Sequence, residues 1–224
     1  MLETLEAAHN YNAWIASLAL PYLGPDPVEV GSGTGTLAAL WLDSGLPRLT
    51  VSEVDTEMLG RLRRRFGDDP RVVVEEIDLE NAPTAEHSAV VGLNVIEHVA
   101  DDVGGLRAAA RLVRPGGAVL MFVPAFPFAM SDFDRSIGHH RRYTSATMRQ
   151  ALIDAGLAVE TVRYVNAPGL VAWVVGMRLL GLSPHDGVAL RVWDRMVVPI
   201  ARALEQRRHP PFGQSLLAVG RTTA

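Results

Sequence analysis

The stretch Val28-Glu29-Val30-Gly31-Ser32-Gly33-Thr34-Gly35-Thr36-Leu37 constrains this chain more than any other. Val28 and Val30 flank Glu29 as in a short strand, and three glycines at alternate positions follow. Leu37, Ala38, Ala39 and Leu40 then suit a helix. A strand that feeds a glycine turn and then a helix opens a nucleotide-binding α/β unit. Glycine is needed because the chain turns sharply, and because a ligand reaches backbone atoms only where no Cβ intervenes. The helix start offers free N–H groups to ligand oxygens. The dinucleotide pattern G-x-G-x-x-G would need glycine at position 36. Thr36 stands there, and the third glycine comes one residue early.

The chain of 224 residues reads as a single α/β domain, 1–224, and its 48% hydrophobic content supplies a large core. A net charge of −4 argues against a broad electrostatic grip on nucleic acid. With no cysteine, disulfides, thiolate metal sites and cysteine nucleophiles are excluded. The segment Met1 to Asn10 lacks the basic region and apolar core of a signal peptide, so cytoplasmic residence is the expectation. The uncharged window from Tyr164 to Met177 is short against the ~20 residues a bilayer requires, so no transmembrane segment is expected.

The form E-x-G-x-G-x-G resembles motif I of the class I S-adenosylmethionine (SAM) dependent methyltransferases. In that reading Glu29, Gly31, Ser32, Gly33 and Gly35 line the cofactor. Leu49 to Val54 reads as the second strand, and Asp55 as the cap of the next helix. Glu53 follows Gly31 at the spacing of a ribose-binding acid, with Val54 beside it. The arginines at 61 and 63–65 read as a solvated helix face. The third strand ends at Asp78 and Leu79, where the resemblance implies an acceptor for the adenine amino group and an apolar contact to the ring. After the fourth strand, Asn94-Val95-Ile96-Glu97-His98-Val99-Ala100-Asp101 is similar to a segment of many bacterial members. It implies cofactor contacts from Asn94, Val95 and Glu97, with Glu97 and His98 near the reacting end. Arg114-Pro115-Gly116-Gly117 before an apolar strand is another familiar feature. Residues 3–20 read as a helix ended by Pro21, within a segment 1–24 that covers the cofactor in relatives. Tyr11 on it either touches the methionine end of SAM or packs on the sheet.

The segment 125–143 lies beyond the fifth strand, at the sheet edge where ligands of open α/β sheets bind. His139 or His140, like His98, is a candidate base, because imidazole titrates near neutral pH. Arg141 and Arg142 either hold an anionic group of the acceptor or pin the loop through Arg–Asp pairs. The two histidines with Asp132 and Asp134 match no metal-ligand spacing, so no metal is expected. A second acceptor-side insertion, 166–213, is apolar in its first part. It has four readings: wall of an apolar pocket, homodimer contact, membrane-surface rest, or core packing.

The expected fold is a Rossmann-like three-layer sandwich. Its seven-stranded sheet is mostly parallel with an antiparallel last strand, and a helical insertion precedes that strand. The expected function is methyl transfer from SAM to oxygen or nitrogen of a small, apolar or anionic molecule, leaving S-adenosylhomocysteine. An NAD-dependent oxidoreductase is the rival that Thr36 counts against. A SAM-binding partner subunit without catalysis is the rival of another kind.

Overall fold

A computed structural model describes residues 8–179 and 187–223. Its seven strands are β1 (Val28–Val30), β2 (Leu49–Ser52), β3 (Val72–Glu75), β4 (His87–Leu93), β5 (Val113–Pro124), β6 (Ala158–Val165) and β7 (Ser215–Arg221). They form one sheet in the order β3-β2-β1-β4-β5-β7-β6. The first five pair in parallel with one another, and β7 is antiparallel to both β5 and β6. β1 pairs with β2 on one side and β4 on the other, so the strand order reverses there. A crevice for ligand opens at the carboxyl ends of strands at such a switch point.

Alternating side chains of the central strands fill two separate cores. One face takes α1 (His9–Leu23), α2 (Thr36–Asp43) and α3 (Thr56–Phe66), with Trp14, Trp41, Leu62 and Phe66 against Val51, Val91 and Leu120. The Trp41 indole donates to the Ala16 carbonyl at 3.1 Å, so its polar atom is satisfied inside that core. The other face takes α4 (Asp102–Arg111), with Leu106, and α6 (Ser145–Asp154), with Met148 and Leu152, against Val90, Val119 and Met121. This is the expected three-layer sandwich.

One local expectation changes, and the packing reading of the insertion is seen. Helix α1 continues through Pro21 to Leu23 rather than stopping. Buried Leu23 anchors its last turn, and Gly24 with a φ of 66° makes the exit. The part of the expected helix at residues 3–7 lies outside the described residues. The insertion is a packed element: α7 (Ala167–Trp173), a π-helical stretch Val174–Leu179, then α8 (Gly187–Val192), a π-helical stretch Trp193–Val197 and α9 (Val198–Arg207). Two buried acids lock it. Asp194 accepts the backbone N–H groups of Asn10 and Tyr11 at 3.0 and 2.8 Å, capping the start of α1 from a distance. Glu205 accepts those of Asn166 and Ala167 at 3.0 and 2.9 Å, capping α7. The outer face of the insertion exposes Val192, Met196, Ile200 and Leu204 in one stripe. No helix among the described residues is long and apolar enough to cross a membrane.

Candidate active site

The glycine turn leaves β1 at the switch point, with Gly31, Gly33 and Gly35 at φ of 65°, 54° and 75°. All three lie in the left-handed region that favours glycine. At Gly31 a Cβ would also stand 2.6 Å from a methyl of Val95. The turn is laced to β2: the Ser32 N–H donates to the Ser52 carbonyl at 2.8 Å, and the Ser52 N–H to the Ser32 hydroxyl at 3.1 Å. Glu53, at the end of β2, accepts the Gly33 N–H on one oxygen and its neighbour Val54's N–H on the other, each at 2.9 Å. The first of these, Oε2, keeps a lone pair for a ligand hydroxyl, while Oε1 also takes the Asp55 N–H at 3.5 Å. Val54 itself is exposed. Arg65 does more than solvate a helix face, since it donates to the Thr34 carbonyl at 2.6 Å and so pins the turn.

Beneath the turn Glu29 is buried, and its Oε2 has no hydrogen-bond partner. Burial, with a smaller contribution from the nearby Glu53 carboxylate, pushes the Glu29 carboxyl up to about 8. Asp78 caps a short 3-10 turn, Leu79–Asn81, by accepting the Glu80 N–H and the Asn81 amide at 2.9 and 3.0 Å. Leu79 is buried in the core with Ile77 and Leu106, so its side chain is spent on packing. Asn94 leaves β4 with a positive φ of 55°, and its N–H donates to the Phe122 carbonyl at 2.8 Å. A non-glycine residue in that region is uncommon and is often found at ligand sites. Tyr11 lies at the same sheet edge. Its hydroxyl bonds Ser215, and burial next to Glu205 pushes it up to about 12.

The 125–143 segment is closed at its neck. The Phe126 N–H donates to the Tyr143 carbonyl at 2.7 Å and the Tyr143 N–H to the Pro124 carbonyl at 2.9 Å. Inside it runs a short helix, α5 (Asp132–Ser136), with Asp134 fully buried. Asp134 is the hub. It accepts from the Ser131 N–H and hydroxyl at 2.7 Å each, from Arg142 Nη2 at 2.7 Å, and meets His139 Nδ1 at 3.0 Å. Burial acts to raise its pKa, but the bonds from His139, Arg142 and Ser131 prevail and hold the carboxyl well below the usual range. Arg142 also donates to the Ala125 carbonyl and lies 4.7 Å over the Trp173 ring. Arg141 donates to the Val99 and Ala100 carbonyls at 2.9 and 2.6 Å. Both arginines are therefore used to tie the loop down, each with an aspartate partner, Asp102 for Arg141 and Asp134 for Arg142, which is the second of the two readings the sequence left open.

The loop also reaches the end of β4. The His140 N–H donates to the Glu97 carbonyl at 2.9 Å, while the His140 residue stays exposed. The rings of His98 and His139 meet edge to face at 4.6 Å. The buried Glu97 carboxylate lies 3.9 Å from His139 Nε2, and neither of its oxygens has a hydrogen-bond partner. Burial pushes Glu97 up to about 8 and His98 downward, the latter helped by the neighbouring His139. Of the candidate bases, His98 and His139 thus come together with Glu97, and His140 stands apart on the surface. Nearby, Phe126 stacks on Tyr164 at 4.8 Å and tilts against Phe128 at 5.2 Å, forming an aromatic ledge.

Residues 28–119 match a family described as a methyltransferase domain. A protein of Mycolicibacterium smegmatis described as a probable SAM-dependent methyltransferase is 30% identical over 182 residues, covering 78% of this chain and 69% of that protein. The chain belongs to the class I SAM-dependent methyltransferases. This methyltransferase is also 29% identical over 177 residues to an uncharacterised transposon protein of Streptomyces fradiae, of whose length it spans about half (51%). Its fold matches that of a methyltransferase in a complex with the Haloferax volcanii Trm112 methyltransferase activator, with a TM-score of 0.67 at 20% identity over 96% and 91% of the two chains. It matches a geranyl diphosphate C-methyltransferase of Streptomyces coelicolor at 0.65 and 14% identity, over 93% and 80%.

Sequence reasoning for the methyltransferase missed the central place of Asp134 and its hold on His139. The spacing Ser131 to Asp134, a short capping box, was the available signal. Tyr164 in the aromatic ledge had none, because it arrives from β6 and pairs with Phe126 only in the folded chain.

Proposed function

We propose that the chain transfers the SAM methyl group to an oxygen or nitrogen of a small molecule, releasing S-adenosylhomocysteine. The observation that carries this reading is the turn itself: three positive-φ glycines at the switch point, with the Glu53 carboxylate held beside them by the Gly33, Val54 and Asp55 N–H groups. Glu53 would accept both ribose hydroxyls. The orphaned Glu29 oxygen would take the cofactor's ammonium, and Asn94 and Val95 would border the ligand. Tyr11 would close the methionine end, and Asp78 would accept the adenine amino group. Leu79 would touch the ring only by leaving its place in the core. The sulfonium methyl is already activated. The protein has to hold the nucleophile in line, so that the bond from acceptor oxygen or nitrogen to carbon forms as the carbon–sulfur bond breaks. The acceptor's proton leaves at the Glu97, His98 and His139 cluster, with His140 at its margin.

The ledge of Phe126, Phe128 and Tyr164 supports an apolar acceptor over an anionic one, because Arg141 and Arg142 are committed to the loop. The exposed stripe on the insertion would serve the homodimer contact, and cytoplasmic residence fits a soluble acceptor. Calorimetry with SAM and with NAD separates the two nucleotide readings, and methyl transfer from labelled SAM over an acceptor panel separates enzyme from partner subunit. Glu53→Ala is expected to weaken SAM binding roughly 10- to 100-fold through loss of a charged two-point contact. Unchanged affinity would take Glu53 off the ribose.

A further inference from the structure

Glu97, His98 and His139 each offer one ligand atom, and these atoms lie within 4.8 Å of one another. Glu97 is the feature that ordinary packing does not explain. Its carboxyl group is wholly buried, and among the described residues neither oxygen has a hydrogen-bond partner. A buried carboxylate is ordinarily offset by a guanidinium or backbone N–H groups. The cation nearby, Arg142, is instead directed to Asp134 and the Ala125 carbonyl. What faces Glu97 is imidazole.

Those imidazoles are turned to present lone pairs. Asp134 acts as an acceptor, from Ser131 and Arg142, so its 3.0 Å contact to His139 assigns the proton to Nδ1 and leaves the Nε2 lone pair toward Glu97. A carboxylate behind a histidine, fixing its tautomer and orientation, is the outer arrangement typical of a metal-ligating imidazole. The His98 ring is likewise held by a bond to the Gly138 backbone. We propose that Glu97, His98 and His139 bind one divalent transition-metal ion of the zinc type, with Asp134 as the positioning residue behind His139.

Two imidazoles and a carboxylate suit zinc, and three protein ligands leave one coordination position open. Ligand atoms around tetrahedral zinc stand about 3.3 Å apart, so the trio closes by roughly 1 Å on binding. The open position lies on the side of exposed His98, since Glu97 is enclosed. Resting on the methyl-transfer reading above, the ion's task is to ligate an acceptor hydroxyl and lower its pKa. With their lone pairs on the ion the two imidazoles no longer act as the base; the proton passes to solvent instead, and the oxygen attacks the sulfonium methyl as the carbon–sulfur bond breaks. This set differs from the Asp132, Asp134, His139 and His140 combination that sequence spacing gave no reason to accept.

The test reads metal binding alone, without SAM or an acceptor, so failure of the methyl-transfer reading does not affect it. Metal-stripped protein is titrated with Co2+ and followed by visible d–d absorption, then challenged with Zn2+. Wild type is expected to bind one equivalent, with zinc displacing cobalt. His98→Ala, at an exposed position, and His139→Ala are expected to lose the spectrum while keeping a cooperative melt. Asp134→Asn is expected to keep the stoichiometry with affinity down about 10- to 100-fold. Absence of a one-equivalent cobalt spectrum in wild type, or wild-type affinity in both histidine variants, would overturn the site. Undiminished affinity in Asp134→Asn would remove the positioning role.

Discussion

The cofactor half and the acceptor half of this molecule are built by opposite means. The turn at 31–35 is shaped by backbone: its conformation follows from glycine, its own N–H groups at Ser32 and Gly33 donate to the Ser52 carbonyl and the Glu53 carboxylate, and its partners Glu53 and Val95 come from neighbouring strand ends. The segment 125–143 is made of side chains. Remove the Asp134 carboxylate and four of its bonds vanish together, to Ser131, His139 and Arg142. A backbone cradle depends on a few residue types at fixed spacing and tolerates change around it. A side-chain hub depends on every partner, and so one substitution can undo it.

The largest expected effect breaks the hub. Asp134→Ala leaves Arg142, 5% exposed, as a buried cation without its carboxylate. Breaking such a pair from one side costs about 3–5 kcal/mol. Urea denaturation should show that loss, while SAM affinity of the protein that remains folded should stay near wild type. A SAM affinity that falls in step with stability would show that the two halves are one unit.

The same contrast explains what the sequence made legible. The order of strands and helices, the glycine turn, the reach of Glu53 and the cap at Asp55 were readable, because each depends on residues within a short stretch or on one known spacing. Pro21 was misread because the packing of Leu23 overrides a local breaker. Arg141 and Arg142 kept two readings, anion holder or loop pin, for a related reason. Two adjacent arginines look available until the fold brings the Val99 and Ala100 carbonyls to one and Asp134 to the other. The Glu97, His98 and His139 cluster joins residues some forty positions apart. No periodicity encodes that approach, and only the closed neck of the loop produces it.

A smaller effect tests how far the cradle is backbone alone. Gly31→Ala places a Cβ at positive φ and against Val95. The conformational cost is about 1–2 kcal/mol before any clash. Thermal melts and SAM calorimetry should both show a loss. Val95→Ala in the same chain should recover the part due to the methyl contact and none of the part due to φ. Full recovery would mean that the glycine serves packing rather than backbone conformation. No recovery would mean that Val95 moves freely, and the link between the turn and the 94–98 segment would fail.

The smallest effect concerns the one side chain on which the cradle relies from below. Glu29 has a pKa near 8 in the folded chain against 4.5 in the unfolded one, so folding favours its protonated form. That contribution is complete below about pH 4.5 and is lost as pH rises through 8. A cofactor ammonium favours the ionised form, so binding releases the proton. SAM affinity is then expected to rise about fivefold between pH 7 and pH 8, where free Glu29 passes from mostly protonated to half ionised. Glu29→Gln should flatten that rise and also remove the alkaline loss of stability, as read by calorimetry and melts across the same range. A wild-type rise that survives in Glu29→Gln would place the ammonium elsewhere. The cradle would then be a surface of peptide groups and Glu53 alone, with Glu29 serving the fold.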